Sequence, residues 1–295
     1  MPWLQIRIPT TPEHTEILED ALLIAGCQAV TLIDTKDQPV FEPIRGTTPL
    51  WQQTTVQGLF EHDIDARQLV NQISTAIKEN HLNTGPITTE IVEDKDWERE
   101  WMSNFKPIQC GARLWIIPSW TEAPQASAVN LKLDPGLAFG TGTHPTTYLC
   151  LEWLDQNIQG GESVLDYGCG SGILGLAAIL LGADKMDGLD IDPQAITATK
   201  SNAQANSIHE SQYRVTTQPG ELIEQYDMIV ANILAGPLCD LSEAICQRLK
   251  PNAPIVLSGI LAHQAQAVID AYKLWVRFDP VTEKDGWVRL SGTRL

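Results

Sequence analysis

The sequence predicts an α/β protein: a doubly wound, mostly parallel sheet of seven strands, preceded by a smaller ferredoxin-like α+β domain. Three observations predict this fold. The chain has 295 residues, more than the roughly 100 to 150 residues of a typical single domain. Its first 93 residues follow the order β-α-β-β-α-β. From about residue 160 onward, strand patterns alternate with helix patterns, as in a doubly wound sheet.

Residues 1–93 are the predicted ferredoxin-like domain. Alternating apolar residues begin the first strand at Leu4. Thr11 is predicted to cap the following helix, with Pro12 at its first position and Gly26 at its end. Spaced apolar residues mark the other elements: a strand at Val30 and Leu32, a strand at Val56 and Phe60, a helix from Ala66 to Ile77, and a strand at Ile87, Thr89 and Ile91. Because this scaffold hosts many functions, only its position suggests substrate recognition.

Residues 94–106 are predicted to form an interdomain helix or linker. Trp97, Trp101 and Phe105 are spaced i, i+4, i+8 and therefore share one helical face. The same spacing also fits a helix that packs on the core of the larger domain.

The larger domain, residues 107–295, contains seven predicted strands. The last two of them are expected to close the sheet as an antiparallel pair. The strands are placed at Ser163 to Asp166, Met186 to Asp190, Tyr213 to Val215, Asp227 to Ala231, Ile255 to Ser258, Trp275 to Phe278 and Trp287 to Ser291.

Composition excludes several classes of protein. The net charge of −17 argues against direct binding to nucleic acid, which draws on clustered Lys and Arg, and favours a basic protein partner. No apolar run approaches the roughly 20 residues that span a bilayer. The six cysteines form no Cys-x-x-Cys pair, so neither a metal site nor a disulfide framework is expected. With no export signal at the N-terminus, a cytoplasmic location is expected.

The strongest motif joins a predicted strand to a glycine-rich turn and a helix. Asp166 precedes Gly168, Gly170 and Gly172, and 22 residues after Gly168 the next strand closes at Asp190, whose carboxylate suits a ribose. A nicotinamide enzyme shares these features, because Gly170 to Gly175 matches its fingerprint. Asp166 lies just before the first glycine, where dinucleotide-binding strands usually stay apolar. It favours an adenosyl sulfonium, a methyl donor, as the ligand.

Two further segments are candidates for the same site. Asn232 ends a predicted strand at the edge of the sheet where α/β proteins bind ligands. The Gly-, Thr- and Pro-rich loop from Leu133 to Thr147 is long enough to be functional, and its Phe139 and Thr147 are candidates to cover the donor. His144 is interpreted as an ordinary residue of a helix N-terminus.

With these motifs in view, the sequence resembles the ribosomal protein L11 methyltransferase family, bacterial enzymes that trimethylate amino groups of that large-subunit protein. The resemblance covers nearly the whole chain. It rests on five segments: Leu133 to Thr147, Asp166 to Gly172, Gly188 to Pro193, Asn232 to Pro237, and Ser258 to Leu261.

The resemblance implies a class I, Rossmann-like methyltransferase domain that uses S-adenosylmethionine. It implies donor binding by Thr147, Gly168, Asp190 and Asn232, to which the motifs above add Asp166, Gly170 and Phe139. The N-terminal domain would recognise the ribosomal protein, with lysine side chains and the N-terminal amine as acceptors. Asn232 is the expected catalytic residue. Because Ile233 and Leu234 follow it, the aromatic residue that would stack on a flipped base is missing.

Two other functions stay open at this stage. One is a nicotinamide-dependent oxidoreductase, which rests on the glycine fingerprint alone. The other is an assembly factor that binds S-adenosylmethionine without transferring its methyl group. A monomer is expected in every case.

Overall fold

The structure is a computed structural model that describes residues 2–36, 38, 48–93, 105–125, 127–134, 143–223 and 225–295. The chain divides into two compact units, residues 1–102 and 103–295. The domain boundaries placed above stay predictions, and residues 94–104 of the predicted linker helix lie outside the described residues. None of the described helices has the length and apolar content that spanning a bilayer requires.

The first unit is a four-stranded sheet with two helices. The sheet has the order β2-β3-β1-β4, and every neighbouring pair is antiparallel, as predicted for a ferredoxin-like domain. Both helices contribute to a core that includes Ile6, Leu22 and Ile73. The elements are β1 (Trp3–Thr10), α1 (Thr15–Ile24), β2 (Ala29–Asp34), β3 (Thr54–Glu61), α2 (Ala66–Glu79) and β4 (Thr88–Val92).

The start of the first helix differs from the prediction. A short 3-10 turn, Pro12–His14, precedes α1, and the side chain of Thr11 makes no capping hydrogen bond. The prediction that Thr11 caps the helix is therefore wrong, because Pro12 belongs to the turn. Asp65 does cap α2, since its side chain accepts from the backbone N–H groups of Arg67 and Gln68.

The second unit contains the doubly wound sheet and a small three-stranded sheet. Its elements are β5 (Ile108–Cys110), β6 (Leu114–Ile117), β7 (Val129–Lys132), α3 (Pro145–Asn157), β8 (Ser163–Tyr167), α4 (Ile173–Leu181), β9 (Lys185–Leu189), α5 (Pro193–Ala205), β10 (Tyr213–Thr216), β11 (Met228–Asn232), α6 (Ala235–Asp240), α7 (Ser242–Gln247), β12 (Pro254–Leu261), α8 (Ala265–Tyr272), β13 (Val276–Phe278), β14 (Thr282–Lys284) and β15 (Trp287–Arg294).

The large sheet has the strand order β10-β9-β8-β11-β12-β15-β13, and β14 pairs with β15 at one side. Strands β10, β9, β8, β11 and β12 are parallel, whereas β15 pairs antiparallel with both β12 and β13. The seven predicted strands and the antiparallel closure are confirmed. The sequence patterns did not predict β14 or the sheet β5-β6-β7.

Alternate residues of the central strands enter two cores, one on each face of the sheet. Val164 and Val230 belong to the core that α3 and α4 cover. Their neighbours Leu165 and Ile229 belong to the core that α6, α7 and α8 cover. Because both faces are covered, β11 reads as an apolar run over residues 228–231, which is typical of a parallel sheet.

This order places a crevice at the carboxyl ends of the strands. The order in which the chain adds strands reverses between the parallel strands β8 and β11. After β8 the chain adds β9 and β10 on one side, and after β11 it adds β12 on the other. Ligands of doubly wound proteins bind outside the carboxyl ends at such a reversal. The glycine-rich turn follows β8, Asp190 follows β9, and Asn232 is the last residue of β11.

Candidate active site

The turns after β8 and β9 are bonded to each other. The backbone N–H groups of Gly168 and Cys169 donate to the carbonyl oxygen of Leu189, at 2.7 and 3.1 Å. The Asp190 carboxylate accepts from the backbone of Gly170 at 2.9 Å and from that of Asp192 at 3.0 Å. The structure therefore brings together Gly168, Gly170 and Asp190, three of the residues predicted for the donor site.

Glycine is required at two positions of this turn. Gly168 and Gly172 have φ values of 82° and 78°, a conformation that residues with a side chain rarely adopt. A Cβ atom on Gly168 would lie 2.2 Å from Cγ2 of Ile233, and one on Gly172 would lie 2.5 Å from Cγ2 of Thr199. Backbone conformation and close packing thus both exclude a larger residue.

Asp190 is suited to a hydroxylated ligand. Its two carboxylate oxygens each accept one backbone hydrogen bond, and each has a further lone pair. The side chain is therefore held in place by the turn while it can still accept from the two hydroxyls of a ribose.

Asp166 lies under the glycine-rich turn and is almost fully buried, with 1% of its surface exposed. One carboxylate oxygen accepts from the backbone of Gly175 at 2.9 Å, and the other has no partner among the described residues. Burial raises the pKa of this carboxyl to about 7; the hydrogen bond from Gly175 opposes the shift, and the charge of Asp190 adds to it. A buried carboxylate with an unused oxygen fits a ligand that carries positive charge.

Asn232 is held by the helix on the other side of the crevice. Its side-chain nitrogen donates to the hydroxyl of Thr147 at 3.2 Å, and this bond does not use the amide oxygen. Thr147 is buried in the first turn of α3. The Nδ1 atom of His144 accepts from the backbone of Thr146 at 3.3 Å, so His144 caps this helix. Its interpretation as a residue of a helix N-terminus is confirmed.

Part of the predicted loop is outside the described residues. Residues 135–142 belong to this part, so the predicted role of Phe139 stays a prediction. Among the residues that the structure does describe, no group of three or more His, Cys, Asp or Glu side chains is arranged to hold a metal ion.

Two residues at the crevice were not predicted from the sequence. Ile191 follows Asp190, and 96% of its surface is exposed, so a large apolar side chain stands open beside the ribose-binding candidate. Ile233 follows Asn232 and packs against the core that α6, α7 and α8 cover. Its position directly after Asn232 was visible in the sequence, but its contact with Gly168 was not, because the two residues are far apart along the chain.

Asp166, buried under the glycine-rich turn, distinguishes this site from a nicotinamide site, which shares the doubly wound sheet, the glycines and the acid after β9. The enzyme class is therefore a methyltransferase that uses S-adenosylmethionine. Comparison with known proteins narrows the class. The family model described as "Ribosomal protein L11 methyltransferase (PrmA)" matches residues 2–295. The chain belongs to this family, which confirms the resemblance noted from its motifs.

Individual relatives agree with the family. The chain is 54% identical over 297 residues to a ribosomal protein L11 methyltransferase of Marinomonas sp., with 100% of this chain and 99% of the relative covered. It is 51% identical to one of Pseudomonas aeruginosa, with the same coverage. A crystal structure of a ribosomal protein L11 methylase from Lactobacillus delbrueckii subsp. bulgaricus is 30% identical, with a TM-score of 0.58, and the match covers 64% of this chain and 98% of that one. These relatives do not support the oxidoreductase or the non-catalytic assembly factor.

Proposed function

We propose that this enzyme transfers methyl groups from S-adenosylmethionine to amino groups of ribosomal protein L11, on lysine side chains and the N-terminal amine. The observation that carries the proposal is the pairing of Asn232 with Thr147 beside the Gly168 turn, which sets an amide at the edge of the donor crevice. The names of the relatives support the choice of acceptor.

The residues of the crevice would hold the donor in distinct ways. The Asp190 carboxylate would accept from the ribose hydroxyls, and the Gly168–Gly170 turn would allow close approach of the nucleoside. The exposed side chain of Ile191 would pack on the adenine ring. The buried Asp166 carboxylate would balance positive charge on the donor. Thr147 and Phe139 would cover the bound donor. The bound donor supplies an electrophilic methyl group on a positively charged sulfur.

Asn232 would position the acceptor. Its side-chain or backbone carbonyl oxygen accepts the hydrogens of a neutral amine and aims the nitrogen lone pair. Positioning of this kind supplies most of the rate in a displacement that needs no general acid. Because lysine has a pKa near 10.4 in water, the site must select the rare neutral form or lower that pKa by desolvation.

The surroundings of Asn232 favour an aliphatic amine. Ile233 and Leu234 follow it, and Leu234 is 48% exposed, so an apolar side chain without a planar ring stands at the acceptor side. Neither of these two residues offers an aromatic ring on which a nucleobase could stack. The net charge of −17 also favours a basic protein over nucleic acid. We further propose that residues 1–93 recognise the ribosomal protein, and that the enzyme acts as a cytoplasmic monomer.

The test is incubation of the purified enzyme with labelled donor and purified ribosomal protein L11, followed by mass spectrometry of the acceptor. We expect methyl groups on its amines. Asn232→Ala should lower turnover by about 100-fold, the cost of misplacing a reacting group. Calorimetry with adenosylhomocysteine should show a far smaller loss of donor affinity, because Gly168 and Asp190 are still in place.

Asn206→Ala is the matched control. Its amide bonds to the backbone of Lys132 in the same unit, so this variant should lose stability but keep its turnover. Donor binding without methyl transfer to the ribosomal protein, or normal turnover in Asn232→Ala, would contradict the proposal.

A further inference from the structure

Ile233 occupies a narrow space between the end of β8 and strand β12. Along β11, side chains alternate between the faces of the sheet. Asn232 points toward Thr147 of α3, and Ile233 packs against the core on the other face together with Ile229 and Ala231. The residue that would hold the acceptor and the residue that fills this space are therefore adjacent in the chain and face opposite ways.

Ile233 is fixed on one side by its side chain and on the other by its backbone. A Cβ on Gly168, which follows β8, would lie 2.2 Å from Cγ2 of Ile233. A Cβ on Gly259, within β12, would lie 2.2 Å from the carbonyl oxygen of Ile233 and 3.1 Å from its backbone nitrogen. Both glycines have positive φ values, 82° and 84°. Each leaves just enough room for Ile233.

The local irregularity of β12 belongs to this arrangement. The register between β12 and β15 shifts between Leu257 and Ile260, where Gly259 turns toward Ile233. Next to it, Ser258 is paired in register with Asn232 and donates its hydroxyl to the carbonyl oxygen of Val288. The surface against which Ile233 rests is thus anchored independently.

The donor turn is also anchored independently of Ile233. Gly168 and Cys169 both donate to the Leu189 carbonyl oxygen, and Asp190 holds Gly170. Shortening Ile233 therefore leaves the hydrogen bonds of the donor turn in place. It removes the contact that sets the distance from that turn to β11.

We propose that Ile233 is a positioning residue: its Cγ2 methyl group, set against Gly168, fixes the separation between the donor turn and Asn232. The inference rests on the proposed function in one respect, the role of Asn232 as the acceptor-binding group. Ile233 itself touches neither reacting atom. It acts through the backbone that it shares with Asn232.

The proposal predicts that the effect of a substitution at Ile233 on kcat depends on whether the new side chain keeps the Cγ2 methyl group. Valine keeps Cγ2 and loses only the terminal methyl group, whereas leucine keeps the volume and loses Cγ2. For a purely structural residue, Ile→Leu is the milder or equal change, since it conserves volume. For a positioning residue, Ile233→Val keeps kcat and Ile233→Leu lowers it.

The experiment measures kcat, KM for ribosomal protein L11 and the affinity for adenosylhomocysteine in the full chain. We expect Ile233→Leu and Ile233→Ala to lower kcat by about 10- to 100-fold, because errors of about 1 Å in placement cost that much. Ile233→Val should stay within about twofold of the parent, and donor affinity should change by less than about threefold in all three.

Ile229 is the matched control, because it lies on β11 four residues before Ile233, faces the same core, and is fully buried. Ile229→Val and Ile229→Leu should lower the melting temperature without changing kcat. A parent-like kcat in Ile233→Leu, or equal losses of kcat at both positions, would overturn the inference. If Ile233→Ala does not fold, the valine and leucine variants still decide. If the parent enzyme binds donor but leaves the ribosomal protein unmethylated, the proposed function fails instead.

Discussion

Replacing Asp166 with asparagine should make the enzyme more stable and less able to bind its donor. The side chain is 1% exposed, and one of its oxygens has no partner among the described residues. The pKa of this carboxyl is raised from 3.8 to about 7, so the folded protein holds the proton more tightly than the unfolded chain does. Ionised Asp166 is therefore a cost to folding that we expect the bound donor to offset.

The sign and size of the effect follow from this shift. Since the folded state binds the proton more tightly, the free energy of unfolding falls as pH rises from about 4 to about 7 and is level above that. A shift of about three units corresponds to about 4 kcal/mol. Asparagine removes this term but buries an unpaired amide, at about 1 to 3 kcal/mol. The variant should gain about 1 to 3 kcal/mol at pH 8 and lose a similar amount at pH 4.

Thermal unfolding between pH 4 and pH 8 measures this change. The transition to follow is the one whose melting temperature adenosylhomocysteine raises in the parent enzyme, because that transition belongs to the donor-binding unit. For a unit of this size, each kcal/mol moves the melting temperature by about 2 to 4 °C. Asp155→Asn is the control, because both oxygens of this buried carboxylate accept backbone hydrogen bonds. Replacing this carboxylate should lower the melting temperature at pH 8. A constant destabilisation of Asp166→Asn from pH 4 to pH 8, or unchanged donor affinity at pH 8, would refute the reasoning.

Three further outcomes are expected. Gly172→Ala should lower the free energy of unfolding by about 2 kcal/mol or more through strain and overpacking. Thr199→Ser in the same chain should restore part of this loss, because a Cβ at Gly172 would lie 2.5 Å from Cγ2 of Thr199. Denaturation curves of the single and double variants measure both effects. Asp190→Ala should weaken adenosylhomocysteine binding by about tenfold or more, as measured by calorimetry. Burial raises the pKa of the Cys110 and Cys150 thiols to about 12, so iodoacetamide at pH 8 should label neither in the native enzyme and both after denaturation.

The parts of the fold that the sequence predicted are those with strong local patterns. Strands β8 and β11 are buried along most of their length. In each, an apolar stretch, residues 164–165 or 228–231, is followed directly by a polar residue near the carboxyl end. The helix predicted after the glycine-rich turn is present as α4, Ile173–Leu181. Because carboxyl ends of parallel strands meet at one edge, the sequence also indicated that Asp190 and Asn232 belong to one site.

Other parts depend on contacts between distant residues. Strands β5, β6 and β7 have three or four residues each, too few for a periodic pattern. Asp155, in the last turn of α3, accepts from the turn after β5, which no spacing in the sequence reveals. Likewise, the fit of Ile233 between Gly168 and Gly259 joins three segments that only the folded sheet brings together.

The position of β15 inside the large sheet makes late truncation as damaging as early truncation. This strand lies between β12 and β13, and its Val288 and Leu290 are buried. A premature stop codon before Trp287 would leave β12 with an open, apolar edge, which is a template for intermolecular pairing. Such a gene product should accumulate as aggregate, so a frameshift just before the codon of Trp287 is expected to behave as a full loss of the enzyme.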